Sequence, residues 1–412
     1  MKRRAFLPFL FSPALAEVGT QAFAQMSSAP EMKITRIDTT YFRPGVSLPW
    51  EPNWVWVRIH TNTGLVGIGE TYPRNEVEAD MVHSSMAEKL LGHDPRDIDR
   101  IWADFYRLFD FQVTGGTEMR ALSAVNLALW DLLGKSLNVP VYRLLGGKSN
   151  PEIRLYNTCF GHKYDFNTEP DKIMHELIDR YGIKLIKIWP FDRAALRNQH
   201  EYITASDIEE GLAPVRKLRD VFGNEIEIIM EFHGCWDLTS AVRIAKALEP
   251  YHPMWLEDML LPGNFAQYHV LAESTSIPLT ISERMAGRME FLQMLEARTA
   301  KYVMFDVTWC GGLSEAKKIC TMAEAFELPV APHTAGGPLL FYASTHLSTA
   351  VTNLAIQESC QVFYEKTWPT MLENPLMPQD GRIRVPELPG LGMQIKPELW
   401  THPAAITRTS TA

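Results

Sequence analysis

The stretch 226-IEIIMEFHGCWD-237 runs as a buried β-strand until Glu231 and His233 interrupt it. Alternation along a strand sends residues two apart to one face, so the acid and the histidine are expected to aim the same way. Two later apolar runs, 254-MWLED-258 and 278-PLTISE-283, also close on a carboxylate, Glu257 and Glu283. The three glutamates stand 26 residues apart in both steps. A barrel of about 250 residues divides into eight strand–helix modules of roughly this size.

Further apolar runs fill out the pattern at 153-IRLYNTCF-160, 183-IKLIKIW-189, 302-YVMFD-306, 328-LPVAPH-333 and 354-LAIQE-358. Helix-like segments lie between the runs, among them 206-SDIEEGLAPVRKLRDVFG-223 and 313-LSEAKKICTMAEAFE-327. Eight strands alternating with helices predict an α/β fold, a parallel (β/α)8-type barrel. A doubly wound open sheet would call for a glycine-rich phosphate loop after its first strand, and 158-TCFGHKYD-165 is not one.

In a barrel every strand's C-terminal end opens onto one face, so Glu231, Glu257 and Glu283 should converge. Crowded carboxylates need a counter-charge, and a hard divalent cation, Mg²⁺ above all, accepts carboxylate oxygens and keeps positions open for substrate. Asp306, His333 and Glu358 end the next runs, at steps of 23, 27 and 25 residues. An Asp beside a His on neighbouring strands holds one ring nitrogen protonated and turns the other to substrate as a general base.

Ahead of the barrel, 33-KITRIDTTYF-42, 53-NWVWVRIH-60 and 65-LVGIGE-70 read as short strands with a hairpin, and 77–92, 98–109 and 117–137 carry helical periodicity. Strands followed by helices predict an α+β first domain over 25–147, then the barrel over 148–370 and a C-terminal segment over 371–412. The loop 43-RPGVSLPWEPNW-54 and the segment 71-TYPRNE-76 are placed to cover a barrel mouth, which makes Trp50 and Arg74 candidate substrate contacts. Ordinary packing is the competing role for Trp50.

The chain has 412 residues, 46% hydrophobic and 22% charged, with a formal net charge of −9. Without a long basic run, a nucleic-acid partner is not expected, and a small polar substrate is. Lys2, Arg3 and Arg4, the apolar 5-AFLPFLFSPALA-16 and Ala22-Phe23-Ala24 have the layout of an export signal over 1–24 that is too short to span a bilayer. The pair Arg3-Arg4 ahead of Ala5-Phe6-Leu7 resembles a twin-arginine signal, implying a periplasmic or secreted protein; a charged cytosolic start is the alternative. Five cysteines without CxxC spacing, Cys159, Cys235, Cys310, Cys320 and Cys360, read as small hydrophobes rather than a disulfide framework.

The segment 121-ALSAVNLALWDLLGKSLNVPVYRLLGG-147 resembles the signature that ends the capping domain in the enolase superfamily, in its mandelate racemase and muconate-lactonizing-enzyme group. The segment 381-GRIRVPELPGLGMQIKPE-398 resembles that family's return strand into the cap. The resemblance spans the chain beyond residue 24 and implies a modified (β/α)7β barrel under an α+β cap. It implies that Glu231, Glu257 and Glu283 hold one Mg²⁺, that Asp306 and His333 are the catalytic pair, and that Glu358 hydrogen-bonds the substrate carboxylate. On the second strand, where the family often carries Lys-x-Lys, this chain reads 187-KIW-189. Lys187 matches the first lysine, which supports the substrate carboxylate, and Trp189 replaces the second, which serves as a base in the family, and becomes a candidate substrate contact. Lys184 is a stand-in only from the other face of the strand.

A Glu-x-His pair resembles the acid-sugar dehydratases of this family, in which the histidine protonates a departing hydroxyl. By that resemblance the chain dehydrates an aldonate or aldarate to a 2-keto-3-deoxy acid, with His333 as base and His233 as acid. A hydrogen-bonding role behind the site is the alternative for His233. Epimerisation, racemisation or cycloisomerisation in the same fold, and an exported carbohydrate-binding protein without catalysis, are the alternative functions. The resemblance also implies a homo-oligomer.

Overall fold

The computed structural model describes residues 31–42, 53–108 and 115–412. The proposed export segment and Trp50 lie outside the described residues.

The first sheet is antiparallel and joins three strands of the cap to one from the C-terminus. Its strands are β1 (Ile34–Phe42), β2 (Val55–Thr61), β3 (Val66–Thr71) and β12 (Ala405–Thr411), in the order β12-β1-β2-β3. The returning strand is therefore 405-AITRTST-411 rather than the expected 381–398. The latter carries Pro386, Pro389 and Pro397, which have no N–H for a ladder, and Gly390 at φ +74°. Within it only Arg382–Ile383 (β11) forms a strand, against the barrel, while Gly390 and Ile395 make single bridges to Pro140 and Leu372.

The helix Gly116–Ser136 lies flat on β3 because 65-LVGIGE-70 places glycines where the two backbones meet. A Cβ at Gly69 would sit 1.8 Å from the carbonyl oxygen of Ala124, and one at Gly67 would sit 2.1 Å from that of Ala128. Asp131 on this helix accepts from the backbone N–H of Ile68 at 2.9 Å and of Leu391 at 2.8 Å, tying cap strand, helix and C-terminal segment together. Asn126 exchanges hydrogen bonds with Ser314 at the start of the barrel helix Gly312–Ala325.

The second sheet is parallel and curls into a barrel. It comprises β4 (Ile153–Thr158), β5 (Leu185–Ile188), β6 (Glu227–Glu231), β7 (Trp255–Glu257), β8 (Leu279–Ile281), β9 (Tyr302–Val303) and β10 (Gln357–Ser359), in the order β10-β4-β5-β6-β7-β8-β9. Val330 bridges Val303 on one side and Leu354 on the other, which closes the ring with an eighth, minimal stave. The architecture is thus the predicted α/β barrel with an α+β cap.

Inside the ring, Tyr156, Leu185, Ile229, Trp255, Met304, Ala331 and Ile356 form one buried apolar cluster, a residue from each of seven staves. Two residues further along each stave come Thr158, Lys187, Glu231, Glu257, Asp306, His333 and Glu358. Strand alternation thus stacks a polar layer directly above an apolar floor. All five cysteines are free, and four of them are buried. Among the described residues, no helix is long and apolar enough to cross a membrane.

Candidate active site

Glu231 and Glu257 are direct Cα partners across β6 and β7. Glu283 is not their equivalent in register. Glu257 pairs with Thr280, and Glu283 lies three residues beyond it, past the end of β8. The equal 26-residue step thus hides an unequal geometry, because the strand ends at Ile281 and Ser282 turns away to donate to Asp258 at 2.6 Å. The three glutamates nonetheless converge, each with an oxygen within 4.8 Å of the others, and all three are buried.

Such a cluster is costly to ionise. Burial and the charge of Glu231 push Glu257 well above the usual carboxylate range. Burial acts against Glu231 as well, but Lys187 holds it below that range. Buried Oε2 of Glu283 has no hydrogen-bond partner among the described residues. An all-oxygen donor set, excess negative charge and an orphaned buried oxygen fit a hard divalent cation.

Lys187 carries the counter-charge beside this group. Its Nζ lies 2.6 Å from Glu257, 2.9 Å from Glu358 and 3.3 Å from Glu231. Glu358 is further held by Thr158 and by the N–H of Thr334 at 2.6 Å. Burial opposes its charge, while Lys187 and His333 keep it below its ordinary value. Lys184, just ahead of β5, is exposed.

His333 places Nδ1 2.9 Å from Oδ2 of Asp306, and its Nε2 is 3.6 Å from Glu358. A carboxylate only accepts, so Nδ1 carries the hydrogen and Nε2 is turned to the cavity. Burial disfavours the charged ring, but Glu358 and the bond to Asp306 raise His333 to about 9. Asp306 also accepts from the phenol of Tyr72 at 2.8 Å.

His233 reaches the same cavity, though not by strand alternation. β6 stops at Glu231, and His233 adopts φ +51° in a turn completed by Gly234 at φ +68°. The Glu231 carboxylate accepts from the N–H of Phe232 at 3.0 Å and of His233 at 2.8 Å, and so builds the turn. The ring packs edge-on against Trp189, with centroids 5.7 Å apart, and Nδ1 lies 2.6 Å from Oδ2 of Asp192. Burial lowers its basicity, but the Asp192 bond and the charge of Glu231 carry His233 above its usual value.

A cavity of about 510 Å³ opens above this layer. Of the residues expected there, Lys187, Trp189, Glu231, His233, Glu283 and His333 line it. Glu257, Asp306 and Glu358 lie buried behind them. Arg74 is not among the described residues that line the cavity: it is exposed at the N-cap of the helix Asn75–Met81. Trp54, Phe160 and Phe363 form apolar wall that sequence reasoning missed. Asp192 and Thr158 were missed too, because each acts through a partner distant in sequence.

An α+β cap over a parallel barrel, with a buried glutamate triad and an Asp–His pair at one mouth, defines a class of capped-barrel proteins. Family models agree: "Enolase C-terminal domain-like" matches residues 171–399, and the mandelate racemase / muconate lactonizing enzyme N-terminal domain matches 49–146. The chain belongs to the enolase superfamily, in its mandelate racemase and muconate-lactonizing-enzyme group. It is 34% identical over 375 residues to a D-galactonate dehydratase of Ralstonia nicotianae, covering 88% of this chain and 92% of that one. A D-galactonate dehydratase of Pectobacterium atrosepticum is 32% identical over 379 residues, covering 89% and 93%. Among solved structures, an enolase of the mandelate racemase subgroup from Agrobacterium tumefaciens is 38% identical with a TM-score of 0.83, covering 92% of this chain and 99% of that one. An enolase from Sargasso Sea environmental sequence is 32% identical with a TM-score of 0.84, covering 93% and 100%.

Proposed function

We propose that this protein is a Mg²⁺-dependent dehydratase that converts an aldonate or aldarate into a 2-keto-3-deoxy acid. The observation that carries this reading is the pair of carboxylate-backed histidines, His333 with Asp306 and His233 with Asp192, on one cavity with Lys187 and two of the glutamates. The similarity to D-galactonate dehydratases supports the substrate class.

Glu231, Glu257 and Glu283 would hold the cation, which when bound offsets negative charge developing on the substrate carboxylate. Lys187 and Glu358 position that carboxylate. His333, in its neutral form with Nδ1–H held by Asp306, takes the C2 proton at Nε2, and the C–H electron pair moves into an enediolate. His233 then delivers a proton to the C3 hydroxyl as the C–O bond breaks, releasing water. The resulting enol tautomerises to the 2-keto-3-deoxy product. Trp189, in place of a second strand lysine, closes the cavity beside His233 and leaves no lysine base there.

Incubating the protein and Mg²⁺ with a panel of aldonates and aldarates, and assaying 2-keto-3-deoxy acid, tests the reading. Product from at least one member is expected. C2 inversion without product would establish an epimerase instead, and binding without either change would establish a carbohydrate-binding protein.

We further propose export by the twin-arginine-like segment, with the mature chain beginning at Gln25 and acting as a homo-oligomer. Arg3→Lys with Arg4→Lys should retain the protein inside the cell. An unprocessed cytosolic protein in the native host would rule export out.

A further inference from the structure

Three consecutive residues at the end of β3 fasten the cap to the barrel. Glu70 accepts from the N–H of Leu340 at 3.0 Å at the start of the helix Pro338–Ala350, and from Trp56 Nε1 at 2.8 Å. Thr71 donates from its hydroxyl to the carbonyl of Thr308 at 2.9 Å. Tyr72 donates from its phenol to Oδ2 of Asp306 at 2.8 Å.

The Tyr72 ring is held by Trp309, Asp306 and Gly336. It packs on Trp309 with centroids 4.7 Å apart, and the indole N–H of Trp309 donates to the Tyr72 carbonyl at 2.8 Å. Trp309 in turn lies 5.7 Å from the His333 ring. Gly336 gives the phenol room, since a Cβ there would come within 2.5 Å of it. Tyr72 is 4% exposed and Asp306 is fully buried. Burial and the charge of Asp306 hold the phenol well above its ordinary pKa, so it stays a donor.

Asp306 consequently receives four hydrogen bonds. Oδ1 takes the N–H of Thr308 at 2.7 Å and its hydroxyl at 2.6 Å, while Oδ2 takes Tyr72 and Nδ1 of His333. Each acceptor site is filled, so the carboxylate has one orientation and the imidazole inherits it.

We propose that Tyr72 is a positioning residue for the Asp306–His333 pair, so that His333 is aligned for proton abstraction only while the cap is seated. The catalytic part of this rests on the dehydratase reading; the alignment part stands on the hydrogen bonds alone. Without the phenol, Oδ2 keeps a single donor while the two Thr308 bonds still hold Oδ1, so the carboxylate tilts about Oδ1 and the Nδ1–H bond shifts with it.

The test compares Tyr72→Phe, which keeps the ring, with Thr71→Val, which removes the neighbouring cap–barrel bond without touching Asp306. The downfield Nδ1–H resonance of His333, assigned by its loss in His333→Asn, is read in the full chain without substrate. Tyr72→Phe should move it and Thr71→Val should not. With a turned-over acid sugar, Tyr72→Phe should lower kcat roughly 10- to 100-fold, as losses of such supporting bonds do. KM should stay nearly constant, and the primary isotope effect for C2-deuterated substrate should rise. Thr71→Val should keep its kcat even where it lowers the melting temperature as much. Should Tyr72→Phe not fold, 3-fluorotyrosine placed at position 72 is the substitute probe; a stronger donor should move the same resonance in the opposite direction. An unmoved resonance overturns the proposal. A moved resonance in a protein that dehydrates no acid sugar supports the alignment and sinks the dehydratase reading.

Discussion

Oδ2 of Asp192 lies 2.6 Å from Nδ1 of His233, across 41 residues of sequence. The contact gives His233 the same construction as His333: a carboxylate holds one nitrogen, and the other is left to the cavity. Two histidines prepared alike on one cavity are what the two proton transfers of the proposed dehydration require.

His333→Asn should abolish both dehydration and exchange of the C2 proton with deuterated solvent, because nothing removes that proton. His233→Asn should block dehydration and leave exchange, and Asp192→Asn should follow it more weakly. Losses of roughly 10²- to 10⁴-fold are expected for a positioned acid or base. Proton NMR of substrate in D₂O reads both steps, and full dehydration by His233→Asn would make that residue a bystander.

Removing one carboxylate should expose the metal site. Glu283→Gln changes the proposed ligand with the orphaned oxygen and should weaken Mg²⁺ binding roughly 10- to 100-fold with little change in fold. Glu257→Gln should also disturb Lys187, its partner at 2.6 Å, and cost more activity. Calorimetric titration of metal-stripped protein measures the first effect. Full turnover after exhaustive chelation would remove the metal from the mechanism.

The metal-stripped protein should lose stability above neutral pH. His333 is raised from 6.5 to about 9, so the folded form binds this proton more tightly than the unfolded chain. The stabilisation is complete below pH 6.5 and disappears as pH rises through about 9, a change of roughly 3 kcal/mol at most. Glu70 and Glu78, which burial pushes to about 7, act in the same direction but finish near there. Urea unfolding between pH 7 and 9 should therefore show a steeper loss for wild type than for His333→Asn. Added Mg²⁺ should flatten the difference, since a cation in the pocket opposes the charged imidazole.

The cap should be intolerant of a single methyl group on β3. Gly69→Ala would drive its Cβ against the Ala124 carbonyl, and the backbone must separate. A loss of about 1–3 kcal/mol is expected from such overpacking, read by urea unfolding. Arg74→Ala, at an exposed position, should stay within about 0.5 kcal/mol.

The alternation of eight apolar runs with helices determined a parallel α/β sheet, and the lack of a glycine-rich loop after its first strand favoured the closed barrel over a doubly wound sheet. The same periodicity of two carried most of the site: Lys187, Glu231, Glu257, Asp306, His333 and Glu358 each stand two residues past an apolar floor residue. Where the chain leaves strand geometry, periodicity stops informing. Glu283 joins the cluster from beyond β8, His233 enters on a left-handed turn, and Arg74 stands exposed at a helix N-cap. The partners Asp192 and Tyr72 sit on segments far from the histidine and aspartate they hold. Their contacts exist only because the folded cap and barrel loops bring them within hydrogen-bond distance, and no local rule of sequence encodes that approach.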